Sequence, residues 1–198
     1  MPSEAWQDVA PDQRQAVYVP QFFVPSTLKF AVMAVFSLGV YPVYWFYRNW
    51  IALKARTNAD LSPTWRAIFA PFWAYDFFRR SEDAGMANGL DGDLPVWPLA
   101  LSFALMQLAQ LVSAWGLILY LLSFLPLLPV NRYLGAINSS LNPNFRPDGR
   151  FSFWNWATML AVAAICGFVV WVLSFVQEQL NQQGSALDLL MQPNPNLF

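Results

Sequence analysis

"LKFAVMAVFSLGVYPVYWF" runs from Leu28 to Phe46, and whether it forms one helix decides the architecture. Its roughly 19 residues make a helix of about 28 Å at 1.5 Å per residue, close to the thickness of bilayer hydrocarbon. Its one charge, Lys29, stands at the start, where a long side chain snorkels to headgroups. The stretch therefore reads as a first membrane span, kinked in its last third by Pro42, which removes a backbone donor and crowds the preceding turn. "YPVYWFYRNW" (41–50) at its end carries six aromatic rings. Rings gather where helices meet headgroups, so Tyr44, Trp45, Tyr47 and Trp50 are expected to anchor at the interface.

Composition supports a bilayer. Of 198 residues 57% are hydrophobic and 17% aromatic, and only 12% are charged, about half the share of an ordinary soluble domain at roughly 25%. Eleven Lys and Arg against twelve Asp and Glu give a net charge of −1, so no long-range field gathers nucleic acid or steers an acidic substrate. Histidine is absent and Cys166 is the only cysteine. That removes Ser-His-Asp and Cys-His catalysis, imidazole ligation of haem or zinc, four-Cys metal sites and any internal disulfide. No cofactor and no metal are expected. No serine lies in a nucleophile motif, so an enzyme is not expected either.

Outward from the first span, residues 1–25 form a polar leader without the pattern of a removable signal peptide; Phe22 and Phe23 suit the interface and Ser26 suits a helix cap. "SPTWRAIFAPFWAYDFFRRSEDAG" starts a helix at Ser62-Pro63 and becomes polar at Arg79 and Arg80. Its apolar part is short and broken by Pro71, so the Trp65 to Phe78 helix is embedded with its charges buried among helices, or else re-entrant or interfacial. "SEDAGMANGLDGDLP" reads as a loop whose acids lack the order of a calcium-binding loop. The apolar run that follows, to Val130, is too long for one span and breaks near Ser113 to Gly116, giving two crossings or one tight re-entrant hairpin. Gln107 and Gln110 share a face there and suit an interhelical hydrogen bond. Phe153 to Phe175 is the clearest span, and residues 179–198 are expected to be a flexible tail.

The resulting expectation is an all-α polytopic membrane helix bundle, one domain over 26–178, with four to five membrane-embedded helices. Arg48, Lys54 and Arg56 follow the first span, and Arg132, Arg146 and Arg150 precede the last. The positive-inside rule puts both loops in the cytoplasm, so five full crossings contradict the charge pattern. The two loops also echo each other, in "PVYWFYRNWIALKARTNADLSPTW" and "PVNRYLGAINSSLNPNFRPDGRFSFWNW". Two similar helical hairpins explain the echo; chance likeness of two interface segments is the alternative.

Three groups of residues stand out. Asp76 lies among rings, and an embedded carboxylate suggests proton or ion handling by default, but Arg79 and Arg80 are spaced to pair with it as a structural ion pair. Arg48, Asn49, Asn131, Arg132, Asn138 and Asn155 would meet if the two similar hairpins pack together, making a site for lipid phosphate or a partner; separate snorkelling and capping is the plainer reading. Ala157, Ala161 and Ala164 share one face of the last span, and Ala163 with Gly167 makes a second small pair, so close helix packing is expected.

From Phe22 to about Phe175 the chain resembles a family of small bacterial polytopic inner-membrane proteins of unknown function. The resemblance rests on a Tyr-Trp-Phe-Tyr-x-Asn-Trp helix end (Tyr44–Trp50) followed by Pro-x-Trp-Arg-Ala-x-Phe-x-Pro (Pro63–Pro71), and on "FLPLLPVNRYLGAIN" and "RFSFWNW". It departs between Gln107 and Gly116, where a more polar turn with proline belongs. It implies a multi-pass place in the bacterial inner membrane and no activity. A non-enzymatic accessory, assembly or scaffolding subunit, in contact with lipid and other membrane subunits, is the function these observations favour. A small transporter or lipid-binding protein using Asp76 and the Arg/Asn cluster is the alternative.

Overall fold

The computed structural model describes residues 20–57, 60–112 and 115–191, with side chains up to residue 184. Within it the chain reverses inside the stretch expected to be one span. Helix α1 (Thr27–Phe36) is capped by the Ser26 hydroxyl, which accepts from the Lys29 N–H, and ends at Ser37; α2 (Val40–Thr57) starts just beyond. Between them Leu38 and Gly39 have φ of 48° and 85°, a left-handed turn that no continuous helix contains and that glycine enters without steric cost. The Tyr120 hydroxyl closes over this turn, donating to the Leu38 carbonyl at 3.1 Å, and a Cβ on Gly39 would collide with it. The reversal brings Phe30 to 5.8 Å from Tyr41 and 5.5 Å from Trp45. Leu28–Phe46 is thus a helical hairpin and not one span. Pro42 falls in the first turn of α2, where its missing N–H has no intrahelical bond to lose, so it does not kink the helix.

Helical periodicity sorts the rings of α2. Tyr41, Trp45, Phe46, Asn49, Trp50 and Leu53 are buried, whereas Tyr44 and Tyr47 are exposed. The interfacial role expected of Trp45 and Trp50 is therefore corrected, because both lie on the face turned to the core. Helix α3 (Pro63–Ile68) begins at Ser62-Pro63 as expected and breaks at Phe69, after which α4 (Ala70–Ala87) starts with Pro71 in its first turn. Phe77 of α4 stands at the centre of the core, 5.4 Å from Trp45, 5.2 Å from Phe46 and 5.4 Å from Trp50. Such ring pairs each add about 0.5–1.5 kcal/mol beyond the area they bury. Helix α4 continues through the first seven residues, Ser81–Ala87, of the segment expected to be a loop. Its stop signal lies at Gly89, with φ 80°, where Gly89 N–H bonds Met86 O and Leu90 N–H bonds Gly85 O, both at 3.0 Å.

Helix α5 (Val96–Leu108) tightens into a 3₁₀ turn (Ala109–Leu111), and the chain returns through α6 (Gly116–Leu122). The expected break near Ser113 to Gly116 is there, although Ser113 and Ala114 themselves lie outside the described residues. Gln107 donates to the Ser123 hydroxyl across the reversal at 3.1 Å, while Gln110 bonds the Gln107 carbonyl in its own helix. A turn over Ser123–Pro126 leads into α7 (Leu127–Leu141), and a loop leads to α8 (Phe153–Met191).

The fold is all-α among the described residues, apart from one isolated bridge between Pro25 and Asp148. The chain divides into two compact units, the first ending at Phe151 and the second beginning at Ser152, where one domain over 26–178 was expected. The backbone of α8 stays helical to Met191, past the point where a flexible tail was expected to start. Of the expected leader, residues 1–19 lie outside the described residues. Two stretches, Gly116–Leu141 and Phe153–Gly184, are long and apolar enough to cross a membrane, and α1 and α5 are apolar but shorter. The expected count of four to five embedded helices is therefore matched by length only in these two.

Candidate functional site

Three buried asparagines hold the chain's own extended segment Phe22–Ser26. Asn138 of α7 accepts from the Phe22 N–H at 3.0 Å and donates to the Phe22 carbonyl at 2.9 Å. Asn49 of α2 does the same for Phe23, at 2.9 and 3.1 Å. Asn131 of α7 donates to the Pro25 carbonyl at 2.9 Å and accepts from the Trp45 indole N–H at 3.0 Å. An extended backbone turns both polar groups of successive residues to opposite edges, so helices on either side can each engage one residue with a carboxamide. The loop after α7 completes the enclosure: Asp148 N–H bonds Val24 O at 3.1 Å, and Ser26 N–H bonds Asp148 O at 2.9 Å. Without these partners the buried backbone groups would each cost about 1–3 kcal/mol. The three asparagines of the sequence-derived cluster thus meet, but around the chain itself.

The arginines of that cluster lie at the rim. Arg48 donates to the Tyr44 hydroxyl at 2.8 Å, and its guanidinium lies 5.0 Å from the Phe23 ring centroid. Arg56, two turns on, lies 5.5 Å from the Phe22 ring. Both line a cavity of about 500 Å³ beside the extended segment, with Arg146 on the opposite loop. Arg132 lines a second cavity, of about 260 Å³, with Val24, Gly135, Ser139 and Phe145. Asp148 lies at the edge of the first cavity and is held by Lys29 Nζ at 2.7 Å and the Arg150 N–H at 3.0 Å; Lys29 Nζ also bonds Arg150 O. Burial opposes its ionisation, but the Lys29 hydrogen bond, the Arg150 N–H and both positive charges outweigh this and hold the carboxyl below its ordinary value.

Asp76 does form a structural ion cluster, with one partner different from expectation. Arg80 Nε bonds one carboxylate oxygen at 2.9 Å, and Arg66 of α3 bonds the other. Arg79 turns instead to Glu82 at 3.1 Å and Asp83 at 3.6 Å. The Arg66 guanidinium lies between two indoles, 4.7 Å from Trp50 and 4.1 Å from Trp73, and so ties α2, α3 and α4 together. Sequence reasoning missed it because Arg66 and Asp76 are ten residues apart across a helix break, a spacing no helical period encodes.

Asn155 belongs to the first turn of α8, in the second unit. Along that helix Ala157 is half-buried, Ala161, Ala164 and Gly167 are exposed, and Cys166 is a free, exposed thiol. Among the described residues no group of His, Cys, Asp or Glu is placed to hold a metal ion. Comparison of the chain with protein-family models, with curated proteins and with solved structures returned no match.

Proposed function

We propose that the chain is a multi-pass helical protein of the bacterial inner membrane and serves as a non-enzymatic accessory, assembly or scaffolding subunit. One observation carries this: the helix Phe153–Gly184 is 32 residues long, and its most apolar 18-residue window, long and apolar enough to cross a membrane, contains no buried residue. Such a surface is stable in hydrocarbon or against another apolar surface, and not in water. Ala157, Ala161, Ala164 and Gly167 on that helix suit the close approach of a neighbouring helix. The likeness of Tyr44–Trp50 and Pro63–Pro71 to small bacterial inner-membrane proteins supports the location. A transporter using Asp76 is the weaker reading, since its carboxylate is engaged by two arginines on different helices.

The test is extraction of native membranes with alkaline carbonate, followed by purification in mild detergent. The chain is expected to stay in the membrane pellet and to migrate in a complex larger than its own 22.5 kDa plus the micelle. Leucine at Ala157, Ala161 and Ala164 together should release the partner without releasing the chain from the membrane. Extraction by carbonate refutes the membrane reading, and a partnerless monomer refutes the subunit reading.

A further inference from the structure

We propose that the cavity beside Phe22 and Phe23 is a phosphate site, filled by the headgroup of an anionic phospholipid or by a small soluble phosphate. Three guanidiniums line it: Arg48 and Arg56 from one face of α2, and Arg146 from the loop after α7. Eight residues of helix put the first two about 12 Å apart along the axis, and Ala52 and Ala55 between them leave the floor open. Among the described residues no carboxylate forms an ion pair with any of the three. Among the described residues the one acid that lines the cavity is Asp148, already neutralised by Lys29 at 2.7 Å. The site therefore carries three positive charges in a chain whose net charge is −1, and that excess is local.

The guanidiniums are also pre-positioned. Arg48 and Arg56 rest on the rings of Phe23 and Phe22, which favours cations over their faces and restrains long side chains before a ligand arrives. A planar fork held this way matches two oxygens of a phosphate, and a point charge would not. Partial burial lowers the Arg56 pKa from its usual value with no anion to offset it; a bound phosphate supplies that anion. The volume of about 500 Å³ falls in the range of small-ligand sites, roughly 300–1,000 Å³. Ile51 and the Phe22 and Phe23 rings give one wall an apolar surface suited to a glycerol backbone or the start of an acyl chain.

The test uses the full chain in neutral detergent, titrated separately with dihexanoyl-phosphatidylglycerol, dihexanoyl-phosphatidylcholine and inorganic phosphate, with melting temperature and calorimetric Kd as readouts. A lipid source predicts binding of the glycerol lipid well above the choline lipid; a soluble source predicts binding of inorganic phosphate. In either case Arg48→Gln/Arg56→Gln/Arg146→Gln should weaken binding at least tenfold, each single substitution should weaken it in part, and Arg79→Gln should leave it unchanged. Absence of binding by all three probes overturns the site, as does a triple variant that melts like the parent and binds within threefold of it. Only the lipid source rests on the membrane reading. A carbonate-soluble chain that still binds phosphate through these arginines refutes that reading and keeps the site; a membrane-integrated chain without phosphate binding does the reverse.

Discussion

Substituting Asn138 measures what holds the extended segment to the helices. Its carboxamide satisfies both backbone groups of Phe22, at 3.0 and 2.9 Å, where Asn138 and Phe22 are 0% and 2% exposed. Asn138→Ala leaves a donor and an acceptor without partners, at about 1–3 kcal/mol each, so a loss near 4 kcal/mol is expected. For a chain of this size that lowers the melting temperature by roughly 8–16 °C. Asn138→Asp separates the two bonds. An ionised carboxylate still accepts from the Phe22 N–H but faces the Phe22 carbonyl with a second oxygen, so the folded state favours the protonated acid and its pKa rises above the unfolded value. The variant should then approach the parent in stability near pH 4. It should lose about 1.4 kcal/mol per pH unit as pH rises from the unfolded pKa to the folded one, and level off above it. Tryptophan-detected melting in neutral detergent from pH 4 to 8, taken as the difference from the parent, reads both effects. Asn142→Ala is the control, because Asn142 bonds only the exposed Asn144 N–H through its side chain, and should stay within about 0.5 kcal/mol. An alanine cost below about 1 kcal/mol, or an aspartate variant whose deficit is the same at pH 4 and pH 8, would refute the account.

Two further outcomes follow from the charged clusters. Arg66→Met removes an ion pair and two indole contacts at 4.7 and 4.1 Å and should cost about 2 kcal/mol or more. Arg66→Lys, which keeps the charge without the planar stacking surface, should fall between parent and Met in a melting series; equality with the parent would remove stacking from the explanation. Asp148, whose pKa is depressed below the ordinary 3.8, contributes stability that is present above that value and lost as pH falls through its folded pKa. The stability gap between the parent and Asp148→Asn should therefore be constant at neutral pH and close below about pH 4.

The face of α2 that enters the core was legible in part. Its ring-rich end was recognised, but Trp45 and Trp50 were assigned to an interface because composition records how many rings a stretch carries and not which side is covered. The echo between two loops puts the asparagines at 49, 131 and 138 in one set with Asn155, beside the plainer reading of separate snorkelling and capping; the first three meet around Phe22–Pro25, and Asn155 lies in the second unit. Their occupant is not legible in the sequence, because a carboxamide beside a free backbone segment carries no sequence signature. Arg66 was missed for a related reason: its partners come from a different helix and from two indoles, brought near by the break at Phe69.

By itself the sequence determined the helical class, the apolar helix beginning at Phe153, the helix starts at Ser26 and Ser62-Pro63, the break before Gly116, and the lack of histidine chemistry. These are properties of local pattern, set by hydrophobic runs, capping residues and composition. Only the tertiary structure decided that Leu28–Phe46 folds back on itself, that Pro42 begins a helix, and that Phe22–Ser26 is held between α2 and α7. Hydropathy averages across the Ser-Leu-Gly turn at 37–39, whereas the reversal depends on two left-handed residues and on Tyr120, more than eighty positions away in the chain, closing over them.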